Sequence, residues 1–344
     1  MRKQTNGKMK KIKYILGCIG TALMFSACSD FLDVATQNGL DPDQANDAER
    51  FCNAAYASLM NQRDVKLWAW GDVRSDDAYK GGGGTNDGYT EHCYETGTHI
   101  VTTFNEPDGY WFAQYCGISR VNTALNALNL VSEKEFPNKV TRQAEMRFLR
   151  GHFYFLLKIL FKNIPFVDET VPEHQYQYIS NVALTDVEMW DKIIEDFKFA
   201  FDNLPEKQAD LGRANKYAAA AYLAKANLYK AYRQNEKYEV TSIDAGDLEE
   251  VVKYTGEVLK SSYGLETDFA YNFMPEFENG KESIFAIQFS KDDGTMFGNL
   301  NFADFLSVPQ GLGCCDFHKP SQNLVNAFKT SKGLPMFKMT NGVY

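Results

Sequence analysis

Apolar residues return three or four positions apart in six stretches of the chain, and one further stretch has the composition of a strand. Phe51, Ala54, Ala55, Ala57 and Leu59 predict a first helix from about Ala48 to Asn61. Trp111, Phe112, Tyr115, Ile118, Val121, Leu125 and Leu128 predict a second over Gly109 to Leu130. The widest apolar face belongs to a third, Thr141 to Leu160, built from Ala144, Phe148, Leu149, Phe153, Leu156, Leu157 and Leu160, with Pro165 just beyond it. A fourth starts at Thr185 or Asp186, either of which can cap it, carries Met189, Trp190, Ile193, Ile194, Phe197 and Phe201, and stops before Pro205. A fifth spans Asn215 to Tyr232 and a sixth Leu248 to Leu259. Glu282 to Phe289 (ESIFAIQF) is short, β-branched and aromatic, so it predicts a strand. From there to Tyr344, with Pro309, Pro320 and Pro335, the pattern is loop-rich.

The fifth stretch interleaves Ala218, Ala219, Ala220, Ala221, Ala224 and Ala226 with Tyr217, Tyr222 and Tyr229. Small residues let helix backbones approach while the rings fill the gaps, as in stacked helical hairpins. Pairing the second stretch with the third and the fourth with the fifth gives a mainly α, tetratricopeptide-like scaffold of helical hairpins, with a loop-rich irregular part and a few short strands. The sequence repeat itself is weak, so this is an expectation about architecture.

The N-terminus has another character. Lys8, Lys10, Lys11 and Lys13 precede an apolar run from Tyr14 to Phe25, about 12 residues long, the size of a signal-peptide core and too short for a membrane-spanning helix of ~20 residues. Ser26 and Ala27 then lead into Cys28, the small-residue context in which a bacterial lipoprotein peptidase cleaves ahead of a diacylated cysteine. Phe25 stands where such signals usually carry leucine, and ordinary secretory cleavage with Cys28 incidental is the alternative. Two or three acyl chains on Cys28 would anchor the chain, since one alone binds marginally. The expected organisation is a leader over 1–27, an acylated cysteine and polar tether over 28–46, and a body beyond.

Charge narrows the partners. The formal charge is -9, and loss of the leader, which holds six basic and no acidic residues, takes it to -15. So acidic a surface repels phosphate backbones and anionic headgroups, which disfavours nucleic acid and basic-patch membrane binding and leaves neutral or cationic ligands open. After the leader and Cys28, five cysteines remain at irregular spacing: Cys52, Cys93, Cys116, Cys314 and Cys315. No zinc pattern is present, and the adjacent Cys314 and Cys315 are expected as free thiols because a bond between neighbours closes a strained ring.

Several blocks in order resemble the SusD/RagB family, surface lipoproteins of Bacteroidetes that pair with a TonB-dependent outer-membrane transporter of SusC type. They are Cys28 to Asp33 (CSDFLD), Trp111 to Asn122 (WFAQYCGISRVN), Ala144 to Phe155 (AEMRFLRGHFYF) with Ile164-Pro165, Ala218 to Tyr229 (AAAAYLAKANLY), Tyr263 to Leu265, ESIFAIQF, and Gln322 to Pro335 (QNLVNAFKTSKGLP). No block is diagnostic alone; their order and spacing carry the match. The resemblance implies that 47–260 is the family's N-terminal helical-repeat region, with a ligand-loop insertion at about 64–107. It implies that 261–344 begins the C-terminal region and is incomplete, because family members run on past the block ending at Pro335. It further implies a non-catalytic, surface-exposed outer-membrane lipoprotein that delivers captured oligosaccharide to a SusC-type transporter, touches the membrane through its lipid anchor only, and needs no cofactor. A repeat scaffold for transporter contact or peptide capture is the alternative; a polysaccharide-degrading enzyme is the third reading.

Candidate chemistry concentrates between Trp68 and Phe104. Trp68, Trp70, Tyr79, Tyr89, Tyr94 and Phe104 lie among Asp72, Arg74, Asp76, Asp77, Asn86 and Asp87, with Gly81 to Gly84 as a flexible tip. A pyranose presents an apolar C–H face and a rim of hydroxyls, so its site needs an aromatic plane beside short polar side chains. Trp70, Arg74, Tyr79, Asn86 and Tyr89 are the candidate ligand contacts, although Trp68 and Trp70 also fit a reading as core residues. Phe297, Asn299, Asn301 and Phe302 form a second candidate set. The glycine run lacks the Gly-Lys-Ser/Thr ending of a P-loop and has no clear strand before it. Asp41-Pro42-Asp43 lacks the rest of a calcium loop, and the five histidines show no metal-ligand spacing. His152, inside the third helix, reads as a packed or pairing residue. Carboxylates are plentiful, but sequence alone does not place two of them ~5–9 Å apart in a cleft.

Overall fold

The computed structural model describes residues 47–59, 67–98, 106–290, 294, 307, 312, 315–328, 330–331 and 334–335. The leader, Cys28, the tether, Phe104, Cys314 and the set Phe297, Asn299, Asn301 and Phe302 lie outside the described residues. The chain divides into two compact units, Met1–Asp47 and Ala48–Tyr344, and the second carries the described elements.

Among the described residues the α-helices and strands are α1 (Ala48–Ala57), β1 (Ala78–Gly81), α2 (Tyr89–Thr96), α3 (Glu106–Leu130), α4 (Lys139–Phe161), α5 (Asp186–Asn203), α6 (Lys216–Ala231), β2 (Tyr232–Gln234), β3 (Val240–Ile243), α7 (Ala245–Leu259), β4 (Phe317–Pro320), α8 (Gln322–Phe328), β5 (Thr330–Ser331) and β6 (Leu334–Pro335), with a short π-helix at Ala69–Val73 and short 3₁₀ helices at Glu173–Tyr178, Phe269–Phe273 and Pro275–Phe277. From α3 to α7 each helix packs on its successor, the arrangement of stacked hairpins, and α1 lies against α3 and α4. This is the mainly helical, tetratricopeptide-like scaffold that the periodicity predicts. The local signals also work in detail: Thr185 caps α5 in a capping box with Glu188, and Asn215 caps α6 by accepting from the Ala218 amide.

Helix α4 sits at the centre. Phe148, Leu149, Phe153, Tyr154 and Leu157 are fully buried, and its neighbours approach closely enough that a Cβ at Gly117 of α3 would lie 2.6 Å from the Phe153 ring. The α6 alanines do the same on the other side, letting the Tyr222 ring stack on Phe197 with centroids 4.7 Å apart and planes 15° apart. Two buried ion networks lock the layers. Glu145, with its pKa raised by burial, meets Arg142 at 2.8 Å and Arg213 at 2.9 Å, joining α4 to the loop before α6. Arg150 pairs with Asp196, tying α4 to α5.

His152 is buried and its Nδ1 lies 2.7 Å from the Tyr222 hydroxyl, the packed and pairing role its position predicts. Burial, aided by the charge of Lys225, pushes its pKa down from 6.5 to about 4. Above pH 6.5 the imidazole is neutral in both folded and unfolded chains and contributes no pH dependence. As pH falls toward 4 the unfolded chain takes up the proton and the folded one does not, so stability should decline by about 3 kcal/mol over that window. Urea midpoints measured from pH 7 to 4 should fall more steeply for the wild type than for His152→Gln; parallel curves would show that the imidazole is not held neutral.

Three expectations are corrected. Residues 282–289 form no strand: the segment is irregular, evenly half-buried until Phe289, and unpaired with any strand among the described residues. Its apolar side chains instead lie on the helical core, with Phe285 edge-on to Phe148 at 5.1 Å, and the Ile284 carbonyl accepts from the Asn215 side chain at 3.0 Å. A helix cap thus takes a backbone bond that a neighbouring strand would otherwise make. Cys315 is disulfide-bonded, not a free thiol, with its partner outside the described residues. The backbone there already departs from ordinary conformations, with φ of 96° at Cys315 and 59° at Asp316, so avoidance of strain does not decide the cysteine's state. Thirdly, a strand does precede the glycine run: β1, which pairs antiparallel with β4 in the register Ala78↔Pro320, Tyr79↔Lys319 and Gly81↔Phe317.

Candidate functional site

The β1–β4 pair carries a small apolar core of its own, made by Trp68, Ala69, Val73, Ala78 and Phe317. Along β1 burial alternates, with Ala78 and Lys80 inward and Tyr79 outward, as the pleat requires. Trp68 is covered by this core and stacks on His318 at 4.7 Å and 20°, while His318 Nε2 lies 2.7 Å from Asp72 Oδ2. Trp70 belongs to a different aromatic group, 5.4 Å from Tyr94, 5.9 Å from Tyr110 of α3 and 5.9 Å from Phe161 of α4. That group pins the segment to the helical scaffold. Both tryptophans thus make ring contacts with distant parts of the chain, Trp68 buried and Trp70 half-buried.

Beyond β1 the chain turns back around a lysine. Lys80 is 4% exposed, and its Nζ donates to the carbonyl oxygens of Gly81 at 2.8 Å, Gly84 at 2.8 Å and Asp87 at 2.7 Å. The Gly83 amide donates to Asp87 Oδ2 at 2.7 Å, and the Gly82 amide to the Asp316 carbonyl at 3.1 Å. The glycines are needed: Gly81 and Gly82 have φ of 74° and 75°, and a Cβ on Gly81 would lie 2.0 Å from the Asp316 carbonyl oxygen. Gly81 to Gly84 is accordingly no flexible tip. It is the wall of a closed loop with an ammonium ion at its centre.

The five candidate residues separate around this loop. Asn86 is exposed on it, and Tyr89, half-exposed, begins α2 immediately after it. A hydrogen bond with the Cys93 thiol raises the Tyr89 phenol pKa. Tyr79 is 45% exposed, but strand alternation places it on the face of β1 opposite Lys80. Arg74 is exposed at the margin, its guanidinium 5.9 Å from the Tyr94 ring. Trp70 lies beneath. The structure thus brings Asn86 and Tyr89 together at one loop and sets Tyr79 and Arg74 apart from them.

Sequence reasoning missed Lys80, Phe317 and His318. A lysine following an inward alanine by two positions, directly before four glycines, was the available signal for the first; the other two lie far along the chain and gave none. Among the described residues no group of three or more His, Cys, Asp and Glu is placed to hold a metal ion, and no helix is long and apolar enough to cross a membrane. Two concavities of about 370 and 400 Å³ lie elsewhere, between the 206–215 loop and residues 262–289 and along 272–289.

Comparison with known proteins places the chain. The family model described as "Starch-binding associating with outer membrane" matches residues 30–228, more than half of the chain. A SusD-like protein of Bacteroides ovatus is 27% identical, over 91% of this chain and 57% of that protein. Among solved structures, a SusD-like protein from Bacteroides fragilis aligns with a TM-score of 0.61 at 20% identity, over 87% of this chain and 54% of the other. Surface glycan-binding protein A from Bacteroides thetaiotaomicron in complex with laminarihexaose aligns with a TM-score of 0.57 at 22% identity, over 71% and 49%. At these identities the structural matches speak for the fold, and the chain spans about half the length of the relatives it matches. With most of its helical scaffold inside the matched span, the chain belongs to the SusD/RagB family.

Proposed function

We propose that this chain is a glycan-binding lipoprotein of the outer-membrane surface that captures oligosaccharide and passes it to a SusC-type TonB-dependent transporter, without catalysis. The observation that carries the reading is the Lys80-centred loop, which presents an exposed amide, Asn86, beside a half-exposed aromatic ring, Tyr89, on a fixed backbone. A sugar needs both, a plane for its C–H face and a donor and acceptor for its hydroxyls. Tyr79 and Arg74, exposed but set apart from that pair, would meet only a ligand long enough to pass round β1, and Trp70 would hold the assembly to α3 and α4. The acidic surface, the family's description and the glycan named with the Bacteroides thetaiotaomicron structure all support a neutral saccharide ligand. Membrane attachment rests on the leader and on acylation of Cys28, and the tether to Asn46 would give the body reach over a transporter mouth.

Calorimetric titration with laminarihexaose and other neutral oligosaccharides tests this. Asn86→Ala and Tyr89→Phe differ in what they remove, so Tyr89→Ala is the matching variant for the ring. Asn86→Ala and Tyr89→Ala should each weaken binding about tenfold, equivalent to ~1.4 kcal/mol. Unchanged affinity in both variants would exclude this loop as the site.

A further inference from the structure

Lys80 is the least expected residue of the loop, because a lysine side chain is almost never so buried without a carboxylate partner. Its ammonium ion is instead satisfied by three backbone carbonyls that converge on it at 2.7 to 2.8 Å, from Gly81, Gly84 and Asp87. Its position over the Phe317 ring, 5.6 Å from the centroid, adds a cation–π contact. Carbonyls gathered round a point charge are the coordination shell of a cation, and here the cation is covalently part of the chain. The shell spans both ends of the turn, since Gly81 ends β1 and Asp87 lies between Asn86 and the glycine before α2.

We propose that Lys80 is the positioning residue of the glycan loop: its ammonium ion serves as the loop's internal cation and sets the places of Asn86 and Tyr89 for ligand. The inference rests on the functional reading above. Without the ammonium, three carbonyls lose a donor at once, the Gly84 carbonyl keeping the Asp87 amide at 3.1 Å, and a loop containing four glycines has many other conformations to adopt. The ligand then meets a binding-competent loop only part of the time, and its apparent affinity falls by that fraction.

The test is chemical rescue in the full chain. Lys80→Ala removes the atoms from Cγ to Nζ, which n-propylammonium reproduces. Laminarihexaose affinity and hydrogen exchange at the Gly82, Gly83 and Asp87 amides would be measured with n-propylammonium chloride, and with tetramethylammonium chloride at equal ionic strength, which carries no N–H donor. Lys80→Ala should bind about tenfold more weakly, with faster exchange at those amides, and n-propylammonium alone should restore both. Lys80→Met, which keeps most of the apolar stem, should show the same loss, separating lost charge from lost packing. Wild-type affinity in Lys80→Ala, or a loss that neither salt reverses in a variant with unchanged helical circular dichroism, would overturn the proposal. If the wild type binds no oligosaccharide, the functional reading fails and takes the positioning role with it. Rescue of amide protection would still report the internal cation.

Discussion

Replacing Arg150 by methionine should lower the free energy of unfolding by about 3–5 kcal/mol, the usual consequence of breaking a buried, hydrogen-bonded ion pair. Arg150 is 2% exposed and Asp196 is 1% exposed. The guanidinium forks onto the carboxylate, Nε to Oδ2 at 2.7 Å and Nη2 to Oδ1 at 2.8 Å, and its Nη1 donates to Asn122 Oδ1 at 3.1 Å and to Glu169. One side chain therefore joins α3, α4, α5 and the segment after α4. Removing it leaves the Asp196 carboxylate in the interior, where Arg147 still pairs with it, while Asn122 and Glu169 lose a donor. The double variant Arg150→Met with Asp196→Leu should recover part of the loss, because the fully buried carboxylate is then gone, while Arg147 and Glu169, both nearer the surface, each lose a partner. Urea unfolding followed by circular dichroism measures both. A single variant within ~1 kcal/mol of the wild type, the size of a surface pair, would show that this network does not hold the layers together.

Phe148→Ala should cost about 3–5 kcal/mol by opening a cavity in the middle of the scaffold. The ring is fully buried and makes edge-on contacts with Phe197 at 5.7 Å, Tyr222 at 5.5 Å and Phe285 at 5.1 Å. The first two belong to α5 and α6, so the cavity weakens the helix stack itself. The third belongs to the irregular segment 282–289, whose packing on the core depends on such side-chain contacts. Hydrogen exchange in that segment should accelerate in the variant beyond what global destabilisation explains. A loss below about 1.5 kcal/mol, as a volume-conserving change would give, would mean that the site collapses and refills.

The two variants together show why the scaffold was legible in the sequence. Leu149, Phe153, Leu156 and Leu160 recur three or four residues apart along one side of α4, and that local repeat is enough to define a helix whatever packs on it. Each of the six helices predicted from periodicity begins within three residues of its observed start, as α3 does at Glu106 against Gly109. Elements defined by distant partners were not legible. Strands β1 and β4 are four residues each, and the register Tyr79↔Lys319 joins positions that no local window contains. Residues 282–289 were misread for the converse reason, since apolar and β-branched side chains suit an irregular segment lying on helices as well as a strand.

The candidate site divides along the same line. Residue types that suit a sugar could be read from the loop's composition, but the direction of each side chain could not. Phe317, Tyr110 and Phe161 reach Trp68 and Trp70 from elsewhere in the chain, contacts that no local window contains. Lys80 was passed over because lysine is ordinarily a surface residue, and only the turn of the glycines around it reveals its burial.

Oligosaccharide is expected to bind at the loop closed around Lys80. A crystal structure of the chain grown with laminarihexaose tests it most directly. The expected result is sugar density against Asn86 and Tyr89, with the Gly81, Gly84 and Asp87 carbonyls still converging on the Lys80 ammonium. Sugar bound only in the concavities along residues 206–215 and 262–289, or no sugar at a saturating concentration, would contradict it.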